Sequence, residues 1–470
     1  MRELGIGLIG TGFMGRAHAL AFRNVSAVFE LPLKLKLVAL ADADPQRARH
    51  CADAWGFETA HSDWQQLIDD PKVHLIAITT PNHLHYPMAM AALSAGKAVY
   101  CEKPLAVNLE QADAMRQAAK AAGVVTRVGY NYQHNPIIGL ARQLIENGEL
   151  GHIISFQGEF SEDFMADPAS PWSWRCDAGH AGGALADLGS HLLAMARYLV
   201  GDVESVCADT QTVHGQRPAA PGSQEQRSIT VDDQVHALLR FANGARGTFS
   251  SSWLKHGYKN HLSFEISGTK GTLAFDQERL NELRLHRAGQ DGFQRLLAGP
   301  NLPGYAAFSP AAGHQLGYNE LKTLEVHDLV MALAGFGQGG TDFEQAWEVE
   351  RLATAIRLAG ASITLGQAGR GLIDHPVSAR QQLYAAGGLR KLIRAYCVTQ
   401  RVRVVLRVTC PSARMSPCTS TFSVVWQVRT GGGGGARGGG GGGLAQPPSI
   451  TAQRASGSGA KTRFPRLFIG

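Results

Sequence analysis

The sequence predicts an α/β protein: a doubly wound parallel sheet over residues 1–128, then a second α/β domain over 129–375 with the texture of antiparallel sheet. Three observations carry that prediction. An apolar run at 4–9 leads into Gly10-Thr11-Gly12-Phe13-Met14-Gly15, an amphipathic stretch at 14–25 and a second apolar run at 35–40 that ends in Asp42. Strand-like and helix-like segments then alternate as far as residue 128, the pattern of crossover units with helices on both faces of a sheet. Beyond Gly201, short alternating runs flank turn dipeptides instead.

Taken in order, each early element has a physical job. Gly10 permits a tight turn, Gly12 lets backbone N–H groups approach a pyrophosphate, and Gly15 allows close helix–strand packing. The helix that opens there points its N-terminus at the anion. Asp42 can accept hydrogen bonds from a ribose 2′-hydroxyl and would repel a 2′-phosphate, so the cofactor expected is NAD. Apolar runs at 75–78, 98–101 and 124–128 supply further strands, separated by helical patterns at 45–55, 84–95 and 109–122. A helix at 137–147, a strand at 152–160, a polar Trp-rich loop and a helix after Gly182-Gly183 follow. Runs at 235–241 and 245–253 flank Asn243-Gly244, a strong hairpin signal, and 262–267 and 271–275 flank Thr269-Lys270 in the same manner. Residues 209–228 read as a polar connection, and helical patterns at 319–335 and 342–358 close the body.

Charge separates body from tail. The chain carries 45 Lys and Arg against 39 Asp and Glu, net +6. From Pro376 onward there are 14 Lys or Arg and no acid, which leaves 31 basic against 39 acidic side chains, net −8, in residues 1–375. An acidic body argues against a nucleic-acid or membrane partner. The segment 376–470 includes the glycine tract 431–443 and lacks apolar periodicity apart from short runs at 402–408 and 422–428. It reads as a disordered basic appendage, of the composition that out-of-frame translation past a shorter natural end would give. The seven cysteines (51, 101, 176, 207, 397, 410 and 418) form no C-x-x-C pair, as suits unpaired thiols in a reducing compartment. The first strand begins almost at the first residue, and no apolar stretch approaches the roughly 20 residues needed to span a bilayer. A soluble, cytoplasmic protein is the expectation.

Two constellations can do chemistry. Glu102-Lys103-Pro104 follows the run 98–101 directly, on the sheet edge where open α/β folds bind ligands. Pro104 restricts Lys103 to an extended conformation. Asp187 and His191 stand four apart in a helical stripe, on one face and one turn from each other. A carboxylate there can orient the imidazole and stabilise its charged form, which suits proton abstraction from an alcohol. His83-x-His85 lacks a third ligand nearby, so no metal is expected.

The glycine run 10–15, Thr80-Pro81-Asn82 with His85, Glu102-Lys103-Pro104, and Gly182-Gly183 with Asp187-x-Gly189-x-His191 together resemble the glucose–fructose oxidoreductase / inositol dehydrogenase / MocA (Gfo/Idh/MocA) family, over roughly residues 4–360. The resemblance implies an N-terminal Rossmann domain and a C-terminal α/β domain on an open, mostly antiparallel sheet that often forms the oligomer interface, here of a homodimer or homotetramer. It implies catalysis by Lys103, Asp187 and His191, and a cis Lys103–Pro104 peptide. It implies a cofactor site of Gly10, Thr11, Gly12, Phe13, Met14, Gly15, Asp42, Thr80, Pro81, Asn82, His85, Glu102, Lys103 and Asn131. Tyr132, Trp174 and Arg175 look like substrate-lining residues beside Lys103, Asp187 and His191, most like those of the branch acting on inositols and sugars of levoglucosan type. The activity so implied is NAD-dependent oxidation of a secondary hydroxyl of a cyclic polyol or sugar to the ketone. The alternatives are NADH-dependent reduction of a keto sugar or keto inositol, a glycosidase with permanently bound NAD, and a non-catalytic regulator. The tail has no family counterpart.

Overall fold

The computed structural model describes residues 2–361 apart from 181 and 338, together with the backbone of two short strands farther on. Strands β1 (Arg2–Ile9), β2 (Leu33–Ala41), β3 (Thr59–His61), β4 (Leu75–Ile78), β5 (Ala98–Cys101) and β6 (Thr126–Val128) form a parallel sheet in the order β3-β2-β1-β4-β5-β6. Every residue of β4 and β5 is buried, because crossover helices cover both faces of such a sheet. Those helices are α1 (Phe13–Val28), α2 (Pro45–Trp55), α3 (Gln65–Asp69), α4 (His85–Ser94) and α5 (Leu109–Ala122). Local chemistry starts and stops them. Asp44 accepts from the Gln46 and Arg47 amides ahead of α2, Asn108 accepts from the Gln111 amide ahead of α5, and left-handed Gly56 and Gly123 end both helices. The order of the chain reverses between β1 and β4, which opens a crevice at their carboxyl ends. β3 and α3 escaped the sequence reading because three and five residues are too few for periodicity to register.

The second half begins with α6 (Pro136–Glu146), capped by Asn135. β7 (Ile153–Ser161) then leads through a long loop to α7 (Ser190–Leu199), followed by β8 (Val203–Gln211), β9 (Gln216–Pro218), β10 (Gln226–Ser228), β11 (Gln234–Phe241), β12 (Arg246–Ser252), β13 (His261–Gly268), β14 (Gly271–Asp276), β15 (Glu282–Arg287) and β16 (Gln294–Leu297). Eight of these strands make one sheet in the order β16-β15-β14-β13-β7-β12-β11-β8. Only the β7–β12 pairing is parallel, so the sheet is mostly antiparallel. The turn read at Asn243-Gly244 joins β11 to β12: Gly244 takes φ +92° and the Asn243 side chain accepts from the Ala245 amide at 3.0 Å.

Buried Phe156, Phe160, Leu239, Phe249 and Ile266 line one face of this sheet, while the residues between them alternate outward in strands such as β11 and β13. The segment 209–228, expected as a polar connection, instead finishes β8 and forms the separate β9–β10 hairpin. Arg217 explains why that hairpin is held. Its guanidinium is fully buried and donates to the carbonyls of Met165 at 2.5 Å and Asp167 at 2.7 Å.

The chain returns through α8 (Tyr305–Phe308), α9 (Tyr318–Leu333) and α10 (Phe343–Gly360). Val326, Leu329 and Val330 of α9 share a core with Ile6 and Leu8 of β1 and Phe22 of α1. Thus a late helix completes the parallel sheet's packing. Of the expected basic tail, only strands Val405–Arg407 and Ser423–Val425 are described, paired antiparallel. They coincide with the two apolar runs noted there; the rest of 362–470, and with it the expected disorder, lies outside the described residues.

α9 also closes a buried polar cluster. The Lys322 ammonium, wholly buried, donates to Glu102 at 2.9 Å and pairs with Glu325 at 2.7 Å. Tyr100 donates its hydroxyl to Glu325, and His18 of α1 lies 2.7 Å from Glu102. Burial alone would discharge these groups, but the two carboxylates hold the Lys322 ammonium charged and raise its pKa. Removing one partner strands the other charges in a dry interior. Lys322→Met is therefore predicted to cost about 3–5 kcal/mol of folding stability, read as a lower urea midpoint. An unchanged midpoint would mean that Glu102 and Glu325 do not need the cation.

Candidate active site

The carboxyl edge of the parallel sheet gathers most of the residues singled out in the sequence. Gly10 takes φ +100°, and a Cβ there would come within 2.9 Å of the Thr79 carbonyl oxygen. A Cβ on Gly15 would lie 2.1 Å from the Gly10 carbonyl oxygen, whereas one on Gly12 would meet nothing within 4 Å. Gly12 is also the N-cap of α1 and offers no side-chain cap, so that helix start keeps its amides for another acceptor. Phe13 is exposed and lies against Tyr318, whose hydroxyl donates to the Met14 sulfur at 3.1 Å.

Asp42 follows β2 immediately. Its carboxylate accepts from the Thr11 amide and hydroxyl and from Arg47. Burial pushes this carboxyl up, yet the Thr11 and Arg47 hydrogen bonds outweigh it and keep it below its ordinary value. Thr80, Pro81 and Asn82 form the loop after β4, and Asn131 the turn after β6. The Asn131 amide nitrogen is buried without a partner among the described residues, a donor waiting for an acceptor. An open Gly12, an uncapped α1, an ionised Asp42 and this orphaned amide fit a dinucleotide.

Two expected cofactor contacts need correcting. His85 is fully buried, with Nδ1 2.9 Å from the Pro104 carbonyl oxygen and Nε2 3.0 Å from that of Thr80. Burial lowers the His85 pKa and keeps the ring neutral, so it donates one N–H to one of these two carbonyls and ties the two loops together. Glu102 is likewise committed to His18 and Lys322 beneath the sheet edge. Both residues shape the site from behind.

Lys103 stands between those anchors. The Lys103–Pro104 peptide is cis, as the resemblance implied, and the Leu105 amide beyond it donates to buried Glu350 at 3.1 Å. Lys103 Nζ reaches the Asp187 carbonyl at 2.7 Å and its carboxylate Oδ1 at 2.8 Å. Arg175 Nε donates to the other carboxylate oxygen at 3.0 Å. Burial would raise the Asp187 carboxyl, but the Lys103 and Arg175 cations hold it well below the usual carboxylate range.

Here the helical spacing misled. Residues Leu185–Gly189 form a π turn that runs into α7, so the four-residue step from Asp187 to His191 is no longer a single α-helical turn. Asp187 is turned to Lys103 and Arg175, and no hydrogen bond joins it to His191 among the described residues. His191 sits instead in an aromatic niche, 4.6 Å from Tyr132 and 5.6 Å from Tyr130 between ring centroids. Burial, and then the Lys103 charge, push its pKa well below the ordinary histidine value. Trp174 lies under the Arg175 guanidinium at 4.5 Å, while Trp172 is tied to the Ser228 carbonyl.

One group escaped the sequence reading altogether. Glu162, directly after β7, is half-buried, and burial together with the Asp187 charge raises its pKa to about 7. A lone acid after a strand carries no local signature, so nothing in the sequence marks it.

Residues 4–130 match the oxidoreductase family with an NAD-binding Rossmann fold, and residues 138–274 match the Gfo/Idh/MocA C-terminal domain. A levoglucosan dehydrogenase of Pseudarthrobacter phenanthrenivorans is 39% identical over 376 residues, 76% of this chain and 96% of that enzyme. A solved levoglucosan dehydrogenase in complex with NADH and levoglucosan is 40% identical, with TM-score 0.74 over 77% of this chain and 98% of that one. An NAD-binding oxidoreductase from Klebsiella pneumoniae is 45% identical, with TM-score 0.74 over the same shares.

The glycine geometry yields a paired test. Gly12→Ala has room for its methyl and is predicted to keep its melting temperature while losing NAD affinity about tenfold or more. Gly15→Ala, which collides with backbone, is predicted to lose both. Calorimetric NAD titration beside a thermal melt separates them, and unchanged NAD affinity in Gly12→Ala would contradict this use of the loop.

Proposed function

Because the chain belongs to the Gfo/Idh/MocA family of NAD-binding oxidoreductases, we propose that it oxidises a secondary hydroxyl of a cyclic sugar or polyol to the ketone. Rings of levoglucosan type are the favoured substrates, in keeping with the levoglucosan dehydrogenases it resembles, and inositols come next. The observation that carries the reading is the Lys103 ammonium held by Asp187 beside buried His191, on the sheet edge that also carries the glycine loop.

Bound NAD supplies the hydride acceptor. The loop 10–15 and the α1 N-terminus take its pyrophosphate, and Asp42 takes the ribose hydroxyls. Lys103 donates to the reacting oxygen and stabilises the negative charge that grows there as the proton leaves. His191 takes that proton. Its depressed pKa keeps it neutral near pH 7, the form a proton acceptor requires. Asp187 acts on Lys103 and Arg175: it fixes the ammonium direction and leaves the remaining Arg175 donors for substrate hydroxyls. Tyr132 fixes the imidazole plane, and Trp174 offers an aromatic face to the ring. The same groups serve ketone reduction in reverse.

No helix among the described residues is long and apolar enough to cross a membrane. We assign the enzyme to the cytoplasm as a homodimer or homotetramer, a reading supported by unpaired Cys51, Cys101, Cys176 and Cys207 and by family resemblance.

Initial rates of NAD reduction with levoglucosan, glucose, xylose, galactose, myo-inositol and scyllo-inositol, with NADP in parallel, test the proposal. Oxidation of at least one ring with NAD is expected; silence across the panel with NAD still bound would contradict it. With the responsive ring, Lys103→Ala and His191→Ala are predicted to lower kcat by about 10²–10⁴-fold while NAD affinity stays near that of the parent. Equal loss of NAD binding would count against these roles.

A further inference from the structure

Glu162 is left over by that reading. Its backbone is pinned on both sides: its N–H donates to the Ser252 carbonyl at 2.9 Å, and its carbonyl accepts from the Lys255 amide at 3.0 Å. The neighbouring acids are occupied. Glu159 pairs with Lys255 and accepts from Ser161, and Asp163 accepts from Lys259 at 2.6 Å and the Gly257 amide at 3.0 Å. The Glu162 carboxylate accepts no hydrogen bond from any described residue.

Glu162 continues the inner face of β7, on which Phe160, two residues earlier, lies 6.2 Å from Tyr132 and 6.1 Å from His191 between ring centroids. Asp187 and Asp163 repel it, Lys103 and Arg175 attract it, and the Tyr132 hydroxyl feels its charge in turn. Asp187, Lys103, Arg175 and Tyr132 belong to the site of the proposed function, and the inference rests on that function. A half-buried carboxylate that accepts from no protein group among the described residues is a ready acceptor for a donor on a bound ligand. Lys103 Nζ and Arg175 Nε are turned to Asp187, and neither cation donates to Glu162, so the carboxylate is open to a hydroxyl of a bound ring.

We propose that Glu162 accepts a hydrogen bond from the ring hydroxyl next to the one being oxidised, and so selects rings with a vicinal hydroxyl pair. An ionised acceptor makes this a charge-assisted bond. Because burial and Asp187 push the carboxyl up to about 7, the acceptor is lost as pH falls through that value. Substrate KM therefore drops as pH rises through it.

The test compares parent, Glu162→Gln and Glu162→Asp, each with the responsive ring and with its analogue deoxygenated at the vicinal position. KM and kcat are followed from about pH 5 to 9, spanning the ordinary carboxylate and raised values, with NAD titration and thermal melting alongside. At high pH, Glu162→Gln is expected to raise KM for the intact ring about 10- to 100-fold, with far less change in kcat. It should also abolish the KM dependence near pH 7, which Glu162→Asp retains. The deoxy analogue should bind parent and Glu162→Gln equally weakly. Three results overturn the inference: unchanged KM for the intact ring, an equal loss for the deoxy analogue, or loss of NAD binding and melting temperature together. If the parent oxidises no ring at all, the proposed function itself falls; if it does and Glu162→Gln is indistinguishable from it, only the role of Glu162 falls.

Discussion

The ion pair between Lys103 and Asp187 is the constraint on which the site depends. It joins the end of β5 to the π turn ahead of α7, with both side chains mostly withdrawn from water, 16% and 18% exposed. In such surroundings an ion pair adds little net stability and mainly fixes geometry. A free lysine would sweep many rotamers. This one is held by a carboxylate and a backbone carbonyl of the same residue, so its ammonium is aimed before substrate arrives. The π turn is part of that device, since it turns the Asp187 carboxylate toward Lys103 and Arg175 and leaves His191 in its aromatic niche.

Beneath this pair lies a second layer of buried charge. Glu102, adjacent to Lys103, is locked by His18 of α1 and Lys322 of α9, while Glu350 of α10 receives the amide after Pro104. The helix that opens at the glycine loop and the lysine that meets substrate are thus braced against the same late helices. Burial raises the Glu350 carboxyl to about 7, and Glu102 is held far below its ordinary range by Lys322 and His18 in spite of burial. Each of these acids serves a loop position, and none of them is offered to a ligand.

What could be read from the sequence was whatever is local. The glycines report backbone approach, so Gly10, Gly12 and Gly15 disclosed both their turn and their use. Asp42 closed the fingerprint, and Pro104 after a buried strand marked Lys103. The Asn243-Gly244 hairpin followed from turn chemistry alone. What failed was whatever depends on distant partners or on a change of helical pitch. Glu102 and His85 looked like cofactor contacts because they flank the right loops; their true partners, Lys322 and the Pro104 carbonyl, are brought in by the tertiary fold. Asp187 and His191 were one turn apart only under an α pitch. Strands β15 and β16 passed unnoticed although Asp291-Gly292 lies between them, because both runs are short and residues 288–293 make a longer connection than a two-residue hairpin turn.

The most direct measurement is the fate of the carbinol hydrogen. A ring substrate deuterated at the carbon to be oxidised is turned over with NAD, and the reduced nicotinamide is weighed by mass spectrometry. The account predicts one deuterium in each reduced nicotinamide and a ketone at the labelled carbon, with the hydroxyl proton lost to water by way of His191. Reduced nicotinamide without the label, or release of the deuterium to solvent, would contradict direct hydride transfer at a site built on Lys103 and Asp187.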